Sequence, residues 1–265
     1  MIGARVRQLR LSVTARLRRL LAERGVEVSR TGGVRRTPAL VLAHARGLGF
    51  EPATVIDVGV AWGTYELYET FPQARHLLIE PMAEYTEALE LIARRYRAEY
   101  VLAAAGPEPG TTHLNVHRAP ALSSTLGRWR GESGGEPRRV PVVRVDDLVA
   151  ERDLPGPYLL KVDVEGGELG VLDGARTVLS ETELALLEVS FFEFLPGMPL
   201  LHEVIAYMHA RGFVPYDLYG GHVRPLDAAL AMVNLAFVKE GGPLRRDHRF
   251  ATPAQADEMV TRWGF

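Results

Sequence analysis

The sequence predicts an α/β fold built on a mostly parallel sheet. Apolar runs typical of strands, such as "TVIDV" (54–58), "HLLIE" (76–80) and "YLLKVDV" (158–164), alternate with segments of helical character. Strands that alternate with helices favour a parallel sheet covered by helices on both faces. The chain has 265 residues, 47% hydrophobic and 24% charged, which is the composition of a globular protein with an ordinary core.

The remaining elements follow from the same alternation. The predicted helices cover about residues 38–48, a segment after Gly63, and about residues 82–97, 167–179 and 200–211. Further strands are predicted at "YVLAA" (100–104), "LALLEVS" (184–190), "FVPYDLY" (213–219) and "NLAFVK" (234–239). The last two are joined by a short connection, so we expect an antiparallel hairpin to close the sheet. Between the strands "YVLAA" and "YLLKVDV", the segments "THLNV" and "VPVVRV" predict an inserted β-hairpin around a Gly- and Ser-rich loop.

Two domains are expected, residues 1–35 and residues 36–265. In the first, Leu9, Val13 and Leu17 recur at helical spacing among arginines, which predicts a basic amphipathic helix followed by a linker. We expect its leucine stripe to pack on the main domain or on a second subunit, which would make a homodimer. Contact with a membrane or an acidic partner is the alternative.

Composition excludes several classes of protein. The chain has no cysteine, so it has neither disulfides nor thiolate metal sites. It has no apolar run near the roughly 20 residues that span a bilayer and no secretory signal pattern, so a cytoplasmic location is expected. Residues 1–50 hold eleven Arg against two Glu, but only Lys161 and Lys239 are lysines. The arginine content therefore reflects a preference over lysine, and no nucleic-acid partner is expected.

The loop after the first strand has the position of a cofactor site. It reads Asp57-Val-Gly59-Val-Ala61-Trp-Gly63 and lies beyond the carboxyl end of a strand, where doubly wound sheets bind ligands. The acid suits a cofactor end that carries an ammonium group, and Gly59 permits close approach to the backbone. The G-x-G-x-x-G pattern of nicotinamide cofactors is absent. Ordinary turn glycines are the alternative.

Acidic residues mark the ends of three more strands. Glu80 follows the second strand, where a carboxylate can accept hydrogen bonds from both ribose hydroxyls, or else stabilise a helix N-terminus. Lys161, Asp163 and Glu165 alternate at the end of another strand, and Glu188 ends the next. Because a carboxylate in an apolar strand costs several kcal/mol unless it is paired or used, these acids indicate either a reactive site or a structural pair with Lys161.

Together these motifs resemble a known family. "VIDVGVAWGTY", "HLLIEP", "LSSTL", "LLKVDVEGGELGVLDGA" and "LALLEVS" look like the FkbM family of S-adenosylmethionine-dependent methyltransferases, over about residues 52–240. The resemblance implies a Rossmann-like class I methyltransferase fold with a seven-stranded, mostly parallel sheet, an antiparallel last strand and an inserted β-hairpin. It also implies methyl transfer to a hydroxyl of a sugar or secondary metabolite.

The resemblance also implies roles for residues. It places Asp57, Gly59 and Gly63 around the methionine end of S-adenosylmethionine, Glu80 on its ribose and Ala104 beside its adenine. Ser124 would lie near the cofactor mouth. The family usually has Ala-Asn after the first glycine, where this chain has Val60-Ala61 and thus lacks a polar side chain near the methionine end. We expect Trp62 and Tyr65 to compensate. Ala61, Tyr65 and Asp163 complete the expected cofactor-binding set.

For the chemistry, Asp163 is the first candidate for the base that accepts the acceptor's hydroxyl proton. Glu165 and Glu188 are second candidates, for the same role or for holding substrate hydroxyls. No metal site is assigned, although a divalent ion bound by these carboxylates is an alternative. We expect the loops at 117–139 and 191–199 to select a small hydroxylated acceptor. The competing hypotheses are a catalytically silent cofactor-binding scaffold and a nicotinamide-dependent oxidoreductase.

Overall fold

The computed structural model describes residues 37–131 and 135–263. The predicted basic helix and linker of residues 1–35 lie outside this range and stay a prediction. The described strands are β1 (Thr54–Val58), β2 (Arg75–Ile79), β3 (Ala98–Val101), β4 (Ala104–Ala105), β5 (Gly110–Val116), β6 (Glu136–Val143), β7 (Tyr158–Val162), β8 (Thr182–Ser190), β9 (Phe213–Val223) and β10 (Leu230–Lys239).

The described helices are α1 (Pro38–Gly47), α2 (Tyr65–Thr70), α3 (Thr86–Arg95), α4 (Val145–Glu151), α5 (Glu168–Asp173), α6 (Arg176–Glu181), α7 (Leu201–His209) and α8 (Pro253–Trp263). A 3₁₀ turn, Ala83–Tyr85, leads into α3. Helix α1 begins where the sequence predicts it, because Thr37 caps it and Pro38 occupies its first turn. Among the described helices, none has both the length and the apolar character needed to cross a membrane.

The main sheet of the described chain has seven strands in the order β3-β2-β1-β7-β8-β10-β9. All of its neighbouring pairs are parallel except those of β10, which runs antiparallel to both β8 and β9. The predicted mostly parallel sheet with a closing antiparallel hairpin is therefore confirmed. The strand order reverses between β1 and β7, and at such a switch point an open sheet leaves a crevice at the carboxyl ends of its strands.

Three predicted boundaries are wrong. Residues 100–104 do not form one strand: β3 ends at Val101, and β4 leaves the main sheet to pair with β6. The inserted hairpin is thus part of a three-stranded sheet in which β5 and β6 are antiparallel. The predicted helix 167–179 is divided into α5 and α6 around Gly174, where a Cβ would lie 2.1 Å from the carbonyl oxygen of Gly106.

The third boundary matters for the site. Strand β7 ends at Val162, so Asp163 and Glu165 lie in the loop that follows it and do not alternate along the strand. Glu165 has φ +53°, a left-handed conformation that no strand contains. The two carboxylates therefore take their directions from a turn rather than from the pleat of the sheet.

Helices cover both faces of the sheet. Ile56 and Val58 of β1 pack into a core with α4–α7, whereas Val55 packs into a second core with α1–α3. Every residue of β1 and of β7 is buried, as expected for central strands of a covered parallel sheet. By the same alternation, Asp57 and Lys161 point towards the face that carries α1–α3.

His76 is a buried titratable group on that face. The residue is 1% exposed, its Nε2 lies 3.1 Å from the carbonyl oxygen of Phe71, and its ring packs edge-on against Tyr68. Burial lowers the pKa of His76 to about 4. Since an unfolded histidine has a pKa of about 6.5, protons bind preferentially to the unfolded chain between these values.

We predict a loss of stability in acid that depends on His76. The contribution of the neutral imidazole is complete above pH 6.5 and disappears as the pH falls towards 4. Between pH 7.5 and 5.0, the native protein should lose about 2 kcal/mol more unfolding free energy than His76→Gln, whose amide can still donate to Phe71. Urea unfolding at both pH values measures this difference. Equal losses in the two proteins would contradict it.

Candidate active site

A cavity of about 980 Å³ opens at the carboxyl ends of the central strands. Ligand sites usually have volumes of roughly 300–1,000 Å³. The small sheet forms one wall with Leu114 and Val142, and the segment after β8 contributes Met198. The predicted site residues that line the cavity are Gly59, Ala61, Glu80, Ala104, Asp163, Glu165 and Glu188. The remaining four predicted residues do not line the cavity: Asp57, Gly63, Tyr65 and Ser124.

Gly59 joins two loops of the site. It has φ +78°, and a Cβ on it would lie 1.7 Å from the carbonyl oxygen of Asp163. Gly59 donates its N–H to the carbonyl of Ile79, and Asp163 donates its own to the carbonyl of Val58. The glycine is therefore required by the contact between the loop after β1 and the loop after β7, in addition to any approach of a cofactor.

Lys161 is the cation behind this contact. Its Nζ lies 3.1 Å from Asp57 Oδ1 and 3.5 Å from Asp163 Oδ2, and it donates a 2.6 Å hydrogen bond to the carbonyl oxygen of Gly59. Burial alone would lower the pKa of Lys161, but the two carboxylates outweigh burial and the net effect is a raised pKa. Lys161 thus stays charged and ties β1, its loop and the loop after β7 to one point.

Asp57 is the buried partner of Lys161. It is fully buried, and besides Lys161 it accepts a 2.6 Å hydrogen bond from the hydroxyl of Tyr68 on α2. Burial, and then the charge of Asp57, raise the pKa of Tyr68. The carboxylate does not line the cavity, so its influence on a bound cofactor passes through Lys161 and Gly59. Tyr68 was missed at the sequence level, where a tyrosine one turn into a helix is indistinguishable from a core residue.

We predict that Lys161→Met lowers the unfolding free energy by about 3–5 kcal/mol, because it leaves Asp57 as a buried charge without its cation. Adding Asp57→Asn should restore part of this loss, since the amide still accepts from Tyr68. Urea denaturation of the two variants tests the coupling. A double variant no more stable than Lys161→Met alone would argue against a shared network.

Glu80 shapes the loop that carries Ala61. One oxygen of its carboxylate accepts a 2.9 Å hydrogen bond from the N–H of Ala61, and the other accepts one from the N–H of Met82. Ala61 has φ +46°, and this hydrogen bond holds it in the left-handed region that asparagine and glycine adopt more readily. Burial raises the pKa of Glu80. Each oxygen keeps a free lone pair for a ligand hydroxyl.

The other members of the predicted cofactor set pack around this loop. Gly63 has φ +106° and packs on Ile92, while the ring of Tyr65 packs edge-on against Tyr68. Ala104 is buried in a small apolar cluster with Met82 and Tyr85, which borders the cavity beside Glu80. An apolar wall next to a carboxylate suits a nucleoside, whose base is flat and whose ribose offers two hydroxyl donors.

Ser124 supports the acidic end of the cavity. Its hydroxyl donates a 2.7 Å hydrogen bond to the carbonyl oxygen of Glu165 and accepts one from the N–H of Leu126. Its backbone also bridges to Asn115 of β5, which fastens the small sheet to the loop after β7. Ser124 therefore holds the left-handed turn at Glu165 in place.

Three carboxylates meet at this end of the cavity. Asp163, Glu165 and Glu188 each offer an oxygen, and these oxygens all lie within 4.8 Å of one another. Burial, and then the charges of Glu188 and Asp163, raise the pKa of Glu165 to about 9. Burial, and then Asp163, raise the pKa of Glu188 to about 8. The cluster that the sequence predicted at the ends of two strands is thus assembled, and its raised pKa values keep Glu165 and Glu188 largely protonated near neutral pH.

Glu168 is a further buried acid that sequence reasoning missed. It is 4% exposed and accepts a 2.9 Å hydrogen bond from the N–H of Gly166. Burial raises its pKa to about 7. The repeated acid in "EGGE" was the available signal, but a glutamate in the first turn of a helix is usually exposed there.

The two loops expected to select the acceptor meet beside the cluster. The guanidinium of Arg130 forms a 2.7 Å ion pair with Glu193, and the rings of Trp129 and Phe194 stack with centroids 5.7 Å apart. Glu193, Gly197 and Met198 line the cavity. None of the three phenylalanines of "FFEF" lines the cavity, and Phe194 joins the two loops through its contact with Trp129.

The strand order, the reversed β10 and the cavity at the carboxyl edge define a class I methyltransferase fold. The model of the family described as "Methyltransferase FkbM domain" matches residues 53–215, and the chain belongs to this family. Its cofactor is S-adenosylmethionine. The apolar wall at Ala104 and the carboxylate of Glu80 fit the nucleoside part of that cofactor. A comparison with curated protein sequences found no match.

Several solved structures are similar to the chain at low identity. Precorrin-6Y C5,15-methyltransferase from Geobacter metallireducens is 10% identical over 80% of this chain and 93% of its own, with a TM-score of 0.39. Magnesium protoporphyrin IX methyltransferase from Synechocystis is 11% identical over 76% of each chain, with a TM-score of 0.41. A 1,6-didemethyltoxoflavin N1-methyltransferase from Burkholderia thailandensis is 14% identical over 76% of each chain, with a TM-score of 0.38. Similarity at this level defines no acceptor.

Proposed function

We propose that this methyltransferase transfers the methyl group to a hydroxyl of a small sugar-like or secondary-metabolite acceptor. The observation that carries the proposal is the carboxylate cluster of Asp163, Glu165 and Glu188, which borders the same cavity as Glu80. A hydroxyl must lose its proton on methylation, and a cluster of carboxylates at the cavity wall is suited to receive it.

Asp163 is the proposed base. Its side chain is 35% exposed and reaches the cavity, whereas Glu165 is 8% exposed. Lys161 on one side and the loop contact with Gly59 on the other fix its position. Glu165 and Glu188 would hold further hydroxyls of the acceptor, which favours a polyhydroxylated molecule over one with a single polar group.

The chain itself positions the cofactor and the acceptor and excludes water from the site. Glu80 and the Ala61 loop would hold the ribose, and Ala104 with Met82 and Tyr85 would hold the base. When bound, S-adenosylmethionine supplies a methyl group on a sulfonium, whose loss to the acceptor oxygen leaves a neutral thioether. Asp163 takes the acceptor's proton, and the walls formed by Leu126 and Met198 keep water from the reacting groups.

We predict that Asp163→Asn lowers kcat about 10²–10⁴-fold while changing the Kd for S-adenosylmethionine only a few-fold. The amide cannot accept a proton, but it preserves the shape of the loop. Calorimetry with S-adenosylmethionine and an assay of S-adenosylhomocysteine release over a panel of polyols, glycosides and phenols give the two quantities. Asp257→Asn, on the exposed face of α8, is the matched control and should behave as the native protein.

Unchanged turnover in Asp163→Asn would refute its role as base. Tight binding of S-adenosylmethionine with no methyl release from any acceptor in the panel would instead favour the silent scaffold. Turnover confined to amine acceptors would overturn the choice of oxygen as the methylated atom. The cytoplasmic location and the homodimer stay predictions.

A further inference from the structure

The three carboxylates have the spacing of a cation site. Asp163 and Glu165 come from the loop after β7 and Glu188 from β8, and one oxygen of each lies within 4.8 Å of the others. Oxygen ligands bind Mg²⁺, Mn²⁺ or Ca²⁺ at about 2.0–2.6 Å, so two ligands of one ion are at most about 4–5 Å apart. A single ion can therefore contact all three with small changes in side-chain position.

An unpartnered oxygen points to a missing ligand. Oε2 of Glu165 is buried and has no hydrogen-bond partner in the described chain, and the whole residue is only 8% exposed. A buried polar atom without a partner is destabilising, because it has lost its hydrogen bonds to water and gained none in the protein. Glu165 also has a left-handed backbone conformation, which is unfavourable for glutamate and is held by the hydrogen bond from Ser124. Both features direct the carboxylate into the cluster.

The cluster also has no basic side chain of its own. Lys161 is shared between Asp57 and Asp163, and its third contact is the carbonyl oxygen of Gly59. Within residues 37–131 and 135–263, neither Glu165 nor Glu188 forms an ion pair with a basic side chain. Glu168, which is 4% exposed, adds a fourth acid next to the cluster. Carboxyl groups that meet away from bulk water are usually protonated, paired with a cation or bound to metal.

We propose that Asp163, Glu165 and Glu188 bind one divalent cation of the Mg²⁺ or Mn²⁺ class, whose remaining positions face the cavity and take oxygen atoms of the acceptor. All three donors are hard oxygen ligands, and the described cluster contains neither sulfur nor histidine, so the softer metals are disfavoured. This inference rests on the proposed function, because it gives the cation the acceptor as its further ligand.

With a bound cation, the two carboxylate oxygens of Asp163 would have different roles. One of these oxygens would bind the ion, and the other would take the acceptor's proton in competition with Lys161, whose Nζ lies 3.5 Å from Oδ2. A hydroxyl on a divalent ion ionises more readily, and the ion stabilises the oxygen anion that attacks the methyl group. Two adjacent oxygen atoms of the acceptor can occupy neighbouring positions on the ion, which favours an acceptor with a vicinal diol.

The test is Mn²⁺ binding to the full chain, followed by electron paramagnetic resonance in the absence of cofactor and acceptor. We expect one Mn²⁺ site, weakened at least tenfold in Glu165→Gln and in Glu188→Gln. Glu108→Gln is the matched control, since Glu108 is an exposed acid that lines the same cavity outside the cluster. It should bind as the native protein does.

Thermal unfolding with and without Mn²⁺ keeps the test valid for variants of altered stability. At one Mn²⁺ concentration, the ion should raise the Tm of the native protein and of Glu108→Gln equally, and that of Glu165→Gln by less. No Mn²⁺ binding to the native protein, or equal binding in Glu165→Gln, would overturn the inference.

The two proposals fail separately. Methyl transfer to a hydroxyl that persists after removal of divalent ions by a chelator would overturn the cation site and leave the proposed function standing. Mn²⁺ binding that depends on Glu165, without methyl transfer to any hydroxylated acceptor, would do the reverse.

Discussion

The buried ammonium group of Lys161 is the constraint on which the rest of the site depends. It lies opposite Asp57 in the register of β1 and β7, so the two side chains leave the sheet on the same face and meet. Burying this pair costs several kcal/mol of desolvation, which the second carboxylate, the Gly59 carbonyl and the Tyr68 hydroxyl offset. The lysine therefore fixes the relative position of two loops that share no other ion pair in the described chain.

The geometry of the cavity follows from this point. With the loop after β1 held on the loop after β7, no side chain fits at position 59, and Asp163 is presented to the cavity. Glu80 holds the far side of the first loop through Ala61, and Ser124 holds the second loop through Glu165. The cofactor half and the acidic half of the site are thus parts of one hydrogen-bonded frame rather than separate features.

Sequence reasoning predicted the mostly parallel sheet and the edge at which the acids gather, because alternation of apolar strands with helices carries that information. It also located Glu80 and Asp163 on the cavity wall, since the carboxyl ends of parallel strands share one edge. It did not predict the direction of Asp57. All five residues of β1 are buried, so the strand lacks the alternation of apolar and polar residues that would show which side chains face which side of the sheet.

The turns were the harder part to predict. Glu165 was expected on a strand, yet it adopts a left-handed conformation that is rare for glutamate and leaves no pattern in the sequence. The position of Ser124 near the cofactor mouth stays a prediction, and its hydrogen bond to the backbone carbonyl of Glu165, 41 residues away, was not predicted. Such contacts depend on tertiary packing, which local periodicity does not encode.

The most direct test of this frame is amide hydrogen exchange in Lys161→Met under native conditions. If Lys161 ties the two loops together, protection should fall in residues 57–64 and 161–168 at the same time, while β8 and β10 keep theirs. Unchanged protection in both segments, or loss in only one of them, would contradict the claim that a single buried lysine organises the site.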